Sequence, residues 1–162
     1  MAQLTANFTS QENPAVTTLE KLLLLKQVSL FERAPSEDLA ELANEATMVR
    51  YEPGTEVFRE GDPGDALYVV VEGRVQIHTG SLKLAELSKG ECFGEMAILD
   101  DAPRSASVTA LDAVTALKIT QEDFFEFLAD WPEVARDVFV VLTQRLRKAD
   151  SEIRRLSQPA KG

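Results

Sequence analysis

The sequence predicts a mainly β fold, an eight-stranded antiparallel β-roll of jelly-roll-like form with N-terminal helices and a C-terminal helix pair. Seven of the eight glycines lie between Gly54 and Gly94, so the tight turns are confined to one central stretch. Apolar residues recur at strand spacing in that stretch and at helical spacing before and after it. With 162 residues, 44% of them hydrophobic, the chain is expected to form one domain with a substantial core.

The N-terminal part is expected to contain a flexible tail over residues 1–16 and two helices over residues 17–46. A capping-box pattern at Thr17 starts the first helix, which is expected to run to about Gln27. Leucines widen its apolar surface beyond one stripe, so it packs from two sides or meets a partner. The second helix is expected to use Ser36 as its N-cap.

The central part, residues 47–119, is expected to form the β-roll. Short β-branched and aromatic runs alternate there with turns rich in glycine and proline. The predicted strands are Met48–Tyr51, Val57–Arg59, Ala66–Glu72, Arg74–His78, Ala106–Ala110 and Ala113–Ile119.

The C-terminal part, residues 120–156, is expected to form two helices that are interrupted near Pro132, with a tail over residues 157–162. Apolar residues of the longer helix alternate at spacings of four and three and form a heptad seam: Ala135, Phe139, Leu142, Leu146, Ala149, Ile153 and Leu156. This seam favours a homodimer through the C-terminal helix. Packing within one chain, against the leucine-rich first helix, is the alternative.

Composition excludes several classes of function. A net charge of −10 argues against nucleic-acid binding, which needs an excess of Lys and Arg. The N-terminus lacks a signal pattern and the run Leu22–Leu25 is too short to span a bilayer, so we expect a cytoplasmic protein with no membrane partner. The single cysteine, Cys92, is interpreted as a small buried hydrophobe, and the single histidine, His78, cannot form a paired metal site. We expect no metal, no cofactor and no catalysis.

The segment 93–108 carries the chemistry of the chain. Gly94 can let a backbone turn approach an anion. The amides of Glu95, Met96 and Ala97 can then begin a short helix that points N–H groups at a phosphate.

The second half of this segment adds a cation. Arg104 is a planar fork that can grip two phosphate oxygens, and the small residues Ser105, Ala106 and Ser107 leave neighbouring amides free to donate. Glu95 beside a phosphate is favourable where it accepts a hydrogen bond from a ribose 2′-hydroxyl. The combination suggests a ribose phosphate as ligand. The alternative is a loop with an ordinary surface ion pair between Glu95 and Arg104.

Residues 93–108 resemble the phosphate-binding cassette of the cyclic-nucleotide-binding domain family, which runs Phe-Gly-Glu-Leu-Ala and then Pro-Arg-x-Ala-x-Val. We call this segment the cassette. The resemblance extends from about Leu30 to Leu156 and implies that Glu95 takes the ribose hydroxyl and Arg104 the cyclic phosphate of the ligand, which is cAMP or cGMP.

The ligand-binding residues that the resemblance implies are Phe93, Gly94, Glu95, Met96, Ala97, Arg104, Ser105, Ala106, Ser107 and Arg145. Arg145 is included because the final helix resembles that of cyclic-nucleotide-gated channels, in which an arginine reaches the purine. A solvated surface arginine is the alternative. Ser105 is compatible with either base, and we expect a preference for cAMP.

Two departures from the family pattern stand out. Val71 occupies a position where kinase regulatory subunits carry an aspartate that links the phosphate-binding arginine to the roll. Asp100 and Asp101 add two negative charges to the cassette, and acids in a variable loop usually point to solvent.

The resemblance implies a stand-alone, non-catalytic sensor in which C-terminal hinge and lid helices move when the nucleotide binds. The short tail is expected to leave no room for the DNA-recognition helix that transcription regulators of this family append. The downstream protein partner is unknown. The alternative function is a non-responsive interaction module that keeps the fold.

Overall fold

The computed structural model describes residues 16–158. The predicted tail over residues 1–16 therefore lies outside the described residues except for Val16, and residues 159–162 of the C-terminal tail lie outside them too. The helices are α1 (Thr18–Lys26), α2 (Ser36–Glu45), α3 (Glu95–Leu99), α4 (Gln121–Asp130) and α5 (Pro132–Ser157). The strands are β1 (Thr47–Tyr51), β2 (Glu56–Phe58), β3 (Ala66–Glu72), β4 (Val75–Thr79), β5 (Leu82–Leu87), β6 (Cys92–Phe93), β7 (Ser107–Ala110) and β8 (Val114–Thr120).

The eight strands form two four-stranded sheets, one in the order β1-β8-β3-β6 and the other in the order β2-β7-β4-β5. Every pairing is antiparallel. The predicted eight-stranded antiparallel β-roll with flanking helices is therefore confirmed. Strands β5 and β6 had no counterpart among the predicted strands, because β6 has only two residues and β5 is an edge strand with five of its six residues exposed.

Strand β3 separates two apolar cores. Tyr68 and Val70 point into the roll, where they pack between the two sheets with Phe93. Leu67 and Val69 point to the outer face of the first sheet, where the helices cover them. Burial on both faces explains why the first five residues of β3 are all buried.

The predicted N-cap is present in α1, and the one predicted for α2 is shifted by one residue. Thr17 caps α1, and its side chain and that of Glu20 form the predicted capping box. The prediction that Ser36 caps α2 was wrong by one residue. Pro35 holds the N-cap position in an extended conformation, its carbonyl accepts the first helical bond from the Leu39 amide at 3.0 Å, and Ser36 is the first helical residue.

The C-terminal helices meet at Pro132, as predicted. Thr120 caps α4 by accepting a hydrogen bond from the Asp123 amide at 3.2 Å. Pro132 occupies the first turn of α5, where a backbone N–H would have no acceptor within the helix, so the missing N–H of proline costs no helical hydrogen bond. Among the described residues, no helix is long and apolar enough to cross a membrane.

Helix α5 has two apolar faces with different surroundings. Val134 and Val138 form one face and are buried in the helical core. Most of the large seam residues face outward: exposure is 68% at Phe139, 63% at Leu146, 61% at Ile153 and 70% at Leu156. Packing of the seam against α1 of the same chain is therefore wrong for these four positions.

Candidate functional site

The cassette begins where β6 leaves the first sheet. Gly94 follows with a φ of +83° and acts as the N-cap of α3. A Cβ atom at this position would lie 2.7 Å from Nη1 of Arg104, so glycine is required both by the left-handed backbone and by the close approach of the guanidinium. The short helix expected after Gly94 is present as α3.

Arg104 is a buried cation, and the residue is only 4% exposed. Nη1 donates to the Gly94 carbonyl and Nη2 to the Ala66 carbonyl, both at 2.8 Å. The ring centroid of Phe58 lies 4.0 Å from Cζ. Nε is buried and has no hydrogen-bond partner.

No carboxylate of residues 16–158 forms an ion pair with Arg104, so the two carbonyl oxygens are its acceptors. Burial lowers the pKa of the guanidinium, opposed in part by Tyr68 and by the negative charges of Asp65 and Glu95. A buried cation with an unused donor is suited to an incoming anion. The surface ion pair between Glu95 and Arg104, the alternative left open by the sequence, is not formed.

The turn before β3 holds Arg104 from the other side. The Arg104 amide donates to the Asp62 carbonyl, and the Arg104 carbonyl accepts from the Gly61 amide, each at 2.8 Å. A Cβ atom on Gly64 would lie 2.3 Å from Cβ of Ala97 and 3.3 Å from both Cζ and Nε of Arg104. Gly64 therefore lets α3 and the guanidinium pack closely together. The sequence marked it only as a turn residue.

Glu95 contacts Arg145 of α5. Glu95 is 6% exposed, and its Oε1 accepts a hydrogen bond from Nη1 of Arg145 in an ion pair. Nη2 of Arg145 also donates to the Cys92 carbonyl at 2.7 Å. Arg145 is still 41% exposed at its side chain, but it is engaged with Glu95 and the Cys92 carbonyl and so is not fully solvated. Two residues that were assigned to different parts of the ligand thus contact each other across 50 positions of sequence.

The side chains of the first cassette residues divide between core and surface. Phe93 is buried in the roll, where its ring stacks on Tyr68 with centroids 5.1 Å apart. Ala97 is buried against the Gly64 turn, and Met96 is half exposed. Only Met96 of these leaves a side chain at the surface of the site.

The residues after Arg104 also differ in their surroundings. Ser105 is exposed, with its hydroxyl 3.9 Å from Sδ of Met96. Ala106 is buried. The hydroxyl of Ser107 accepts a hydrogen bond from the Glu60 amide at 2.9 Å, so it secures the roll and is already engaged.

Val71 and the acidic pair Asp100 and Asp101, which depart from the family pattern, do not disturb the cassette. Asp100 and Asp101 are both exposed, as expected. Val71 packs at the edge of the helical core, and the Arg104 guanidinium is held by the carbonyls of Gly94 and Ala66 and by the ring of Phe58.

A cavity of about 240 Å³ adjoins the ion pair between Glu95 and Arg145. It lies among the turn after α1, the residues around Cys92 and the inner face of α5. Burial raises the pKa of the Cys92 thiol to about 12, so the thiol stays protonated and behaves as the predicted buried hydrophobe.

Comparison with known proteins places these features in a family. The family profile described as "Cyclic nucleotide-binding domain" matches residues 48–130. The "Cyclic AMP receptor protein" of Thermus thermophilus is 40% identical over 112 residues, which are 66% of this chain and 52% of that protein. The "cAMP-dependent protein kinase regulatory subunit" of Dictyostelium discoideum is 29% identical over 86% of this chain and 43% of that protein.

A solved structure of a relative has a similar fold. The crystal structure of the Thermus thermophilus catabolite activator protein matches with a TM-score of 0.70 and 34% identity, and the match covers 80% of this chain and 63% of that chain. The chain thus spans about half the length of the curated relatives it matches. Fold, cassette and profile agree, and the chain belongs to the cyclic nucleotide-binding domain family.

Proposed function

We propose that this chain binds a cyclic nucleotide at the cassette, cAMP in preference to cGMP, and signals through its C-terminal helices without catalysing a reaction. The observation that carries the proposal is Arg104, a buried guanidinium with no carboxylate partner in the described part of the chain and with an unused Nε donor. The names of two relatives, a cyclic AMP receptor protein and a cAMP-dependent kinase subunit, support the choice of ligand.

The placement of the ligand follows from the chemistry of each group. Arg104 takes the cyclic phosphate, because a charge-assisted hydrogen bond to an anion satisfies its free donor. Glu95 takes the ribose 2′-hydroxyl, since an ionised carboxylate can only accept. Backbone amides beside Gly94 and Ala106 serve the remaining phosphate oxygens. Ser105, exposed beside Met96, is the cassette side chain assigned to the base.

The route to the helices starts at Ile98 in α3. Ile98 is fully buried in the helical core with Phe124 of α4. Its carbonyl accepts a hydrogen bond from Nε2 of Gln121 at 3.0 Å. A shift of the cassette towards phosphate therefore acts directly on α4 and, through Pro132, on α5. The ligand can move these helices only by as much as it prefers the shifted arrangement.

Arg145 has two states in this proposal. In the structure it is paired with Glu95. When the ribose takes over the Glu95 carboxylate, Arg145 is released to lie against the purine, where a guanidinium stacks favourably on an aromatic ring.

The seam of α5 is proposed to pair with a second copy of the chain. Its outward residues repeat at heptad spacing, which is the pattern of a helix that packs along another helix. Leu146→Asp with Ile153→Asp should give a monomer by light scattering, because it buries charge in the seam. Gln144→Asp with Ser151→Asp has the same spacing on the opposite face and should leave the dimer intact. A parent chain that is monomeric at high concentration, with and without nucleotide, would refute the pairing.

Calorimetric titration of the purified, nucleotide-stripped chain with cAMP and with cGMP tests the main proposal. We expect both to bind and cAMP to bind more tightly. Tighter binding of cGMP would overturn the preference. Binding of neither would refute a nucleotide sensor and favour the alternative, an interaction module that uses the exposed seam.

A further inference from the structure

We propose that Phe58 positions Arg104 for the phosphate, by stacking its ring on the guanidinium in a place where no carboxylate holds the cation. This inference rests on the proposed function and assigns a residue outside the cassette to the same site. The ring centroid of Phe58 lies 4.0 Å from Cζ of Arg104. At that separation the negative face of an aromatic ring attracts a cation, and the attraction grows when the cation is desolvated, as Arg104 is.

The hydrogen bonds of Arg104 leave its Nε donor without an acceptor. The carbonyls of Gly94 and Ala66 take up Nη1 and Nη2, whereas Nε is buried without an acceptor. Two hydrogen bonds and a ring contact together fix the plane of the guanidinium, and so the direction of the Nε–H bond. Because hydrogen bonds weaken steeply with misalignment, the orientation of that plane decides how well a phosphate oxygen is bound.

Phe58 is itself held in place by two other rings. Its centroid lies 6.0 Å from that of Tyr68 and 5.9 Å from that of Phe93, and Tyr68 and Phe93 stack at an interplanar angle of 9°. Phe93 is the first residue of the cassette. The three rings therefore connect β2, β3 and β6 to Arg104, and Phe58 is the member that touches the guanidinium.

Affinity for cAMP gives the first test. Phe58→Leu keeps an apolar side chain but removes the aromatic face, and should raise the Kd for cAMP about tenfold. Phe58→Tyr keeps the face and should bind within about twofold of the parent. Phe31→Leu, the same change at a fully buried ring of the helical core, should lower the melting temperature and leave the Kd unchanged. A folded Phe58→Leu chain with parental affinity, or a Phe58→Tyr chain as weak as Phe58→Leu, would overturn the proposal.

The ligand-free chain gives a second test that does not depend on nucleotide binding. The Nε–H resonance of Arg104, assigned by its loss in Arg104→Lys, should carry a ring-current shift from Phe58. That shift should disappear in Phe58→Leu and persist in Phe58→Tyr. A resonance that does not move in Phe58→Leu would overturn the proposal. If the parent binds neither cAMP nor cGMP, the proposed function fails, and these spectra still decide whether Phe58 positions Arg104.

Discussion

Replacing Glu95 with glutamine should weaken the binding of cAMP much more than the binding of 2′-deoxy-cAMP. Glu95 is 6% exposed at the first position of α3, so in the proposed site its carboxylate meets the ligand with little water around it. Glutamine keeps the size of the side chain and one acceptor oxygen, and removes only the charge. The substitution therefore probes the charged contact to the 2′-hydroxyl with little change of shape.

The magnitude follows from the two kinds of hydrogen bond. A bond to a charged group contributes about 1.5 to 3 kcal/mol and a neutral one about 0.5 to 1.5 kcal/mol, so the loss is on the order of 1.4 kcal/mol, or about tenfold in Kd. The 2′-deoxy ligand has no hydroxyl at that position and does not lose this bond. Glu95→Gln also weakens the ion pair with Arg145 in the free chain, and because the free chain is the same for both ligands, that effect cancels in the ratio of their affinities.

Calorimetric titration of parent and Glu95→Gln with both ligands gives the four affinities required. Glu91→Gln is the matched control, because Glu91 lines the same cavity but its carboxylate accepts from the Ser88 amide at 2.8 Å. It should change neither Kd. Equal losses for the two ligands in Glu95→Gln would show that Glu95 does not bind the 2′-hydroxyl.

Three further substitutions test the rest of the site. Arg104→Ala should nearly abolish cAMP binding, because it removes the charge-assisted bonds to phosphate, and a parental titration from a folded chain would refute that assignment. Gly64→Ala should weaken cAMP binding, because the new Cβ atom would lie 2.3 Å from Cβ of Ala97. The control Gly54→Ala sits at a left-handed φ of +83° but has no atom within 4 Å of the new Cβ, so it should lower only the melting temperature. Equal losses of affinity in the two variants would contradict the role of close packing at Gly64. Arg145→Ala should lower affinity several-fold by titration, because the lost purine contact outweighs the lost competition for Glu95, and an unchanged or lower Kd would refute that balance.

Features set by neighbouring residues could be predicted from the sequence. The capping box at Thr17 and the cap at Thr120 are formed by residues within three positions of each other, and both were found. The turn glycines located the β-roll because positive φ angles favour glycine. Strand β5 was not predicted because it lies at a sheet edge with little buried surface, so its sequence does not need to alternate between apolar and polar residues.

Contacts across the chain could not be predicted in the same way. The cassette motif identified Glu95 and Arg104, but their partners come from other elements. Phe58 stacks on Arg104 from 46 positions away and Arg145 pairs with Glu95 from 50. Nothing in the local pattern around Phe58 distinguishes it from a core residue of a strand. Only the antiparallel pairing of β2 with β7, which begins three residues after Arg104, brings the ring to the cation.

On the proposed function, the ion pair between Glu95 and Arg145 links the binding of the ribose to the position of α5 in one equilibrium. A nucleotide that occupies the carboxylate of Glu95 then competes with Arg145 of α5, and a second copy of the chain that binds the seam while this ion pair is formed favours the ion pair over the nucleotide. Thermodynamic reciprocity then requires that the nucleotide alter the affinity of that second copy by the same factor as the second copy alters the affinity of the nucleotide. The concentration of the partner would thus set the nucleotide threshold at which the domain responds.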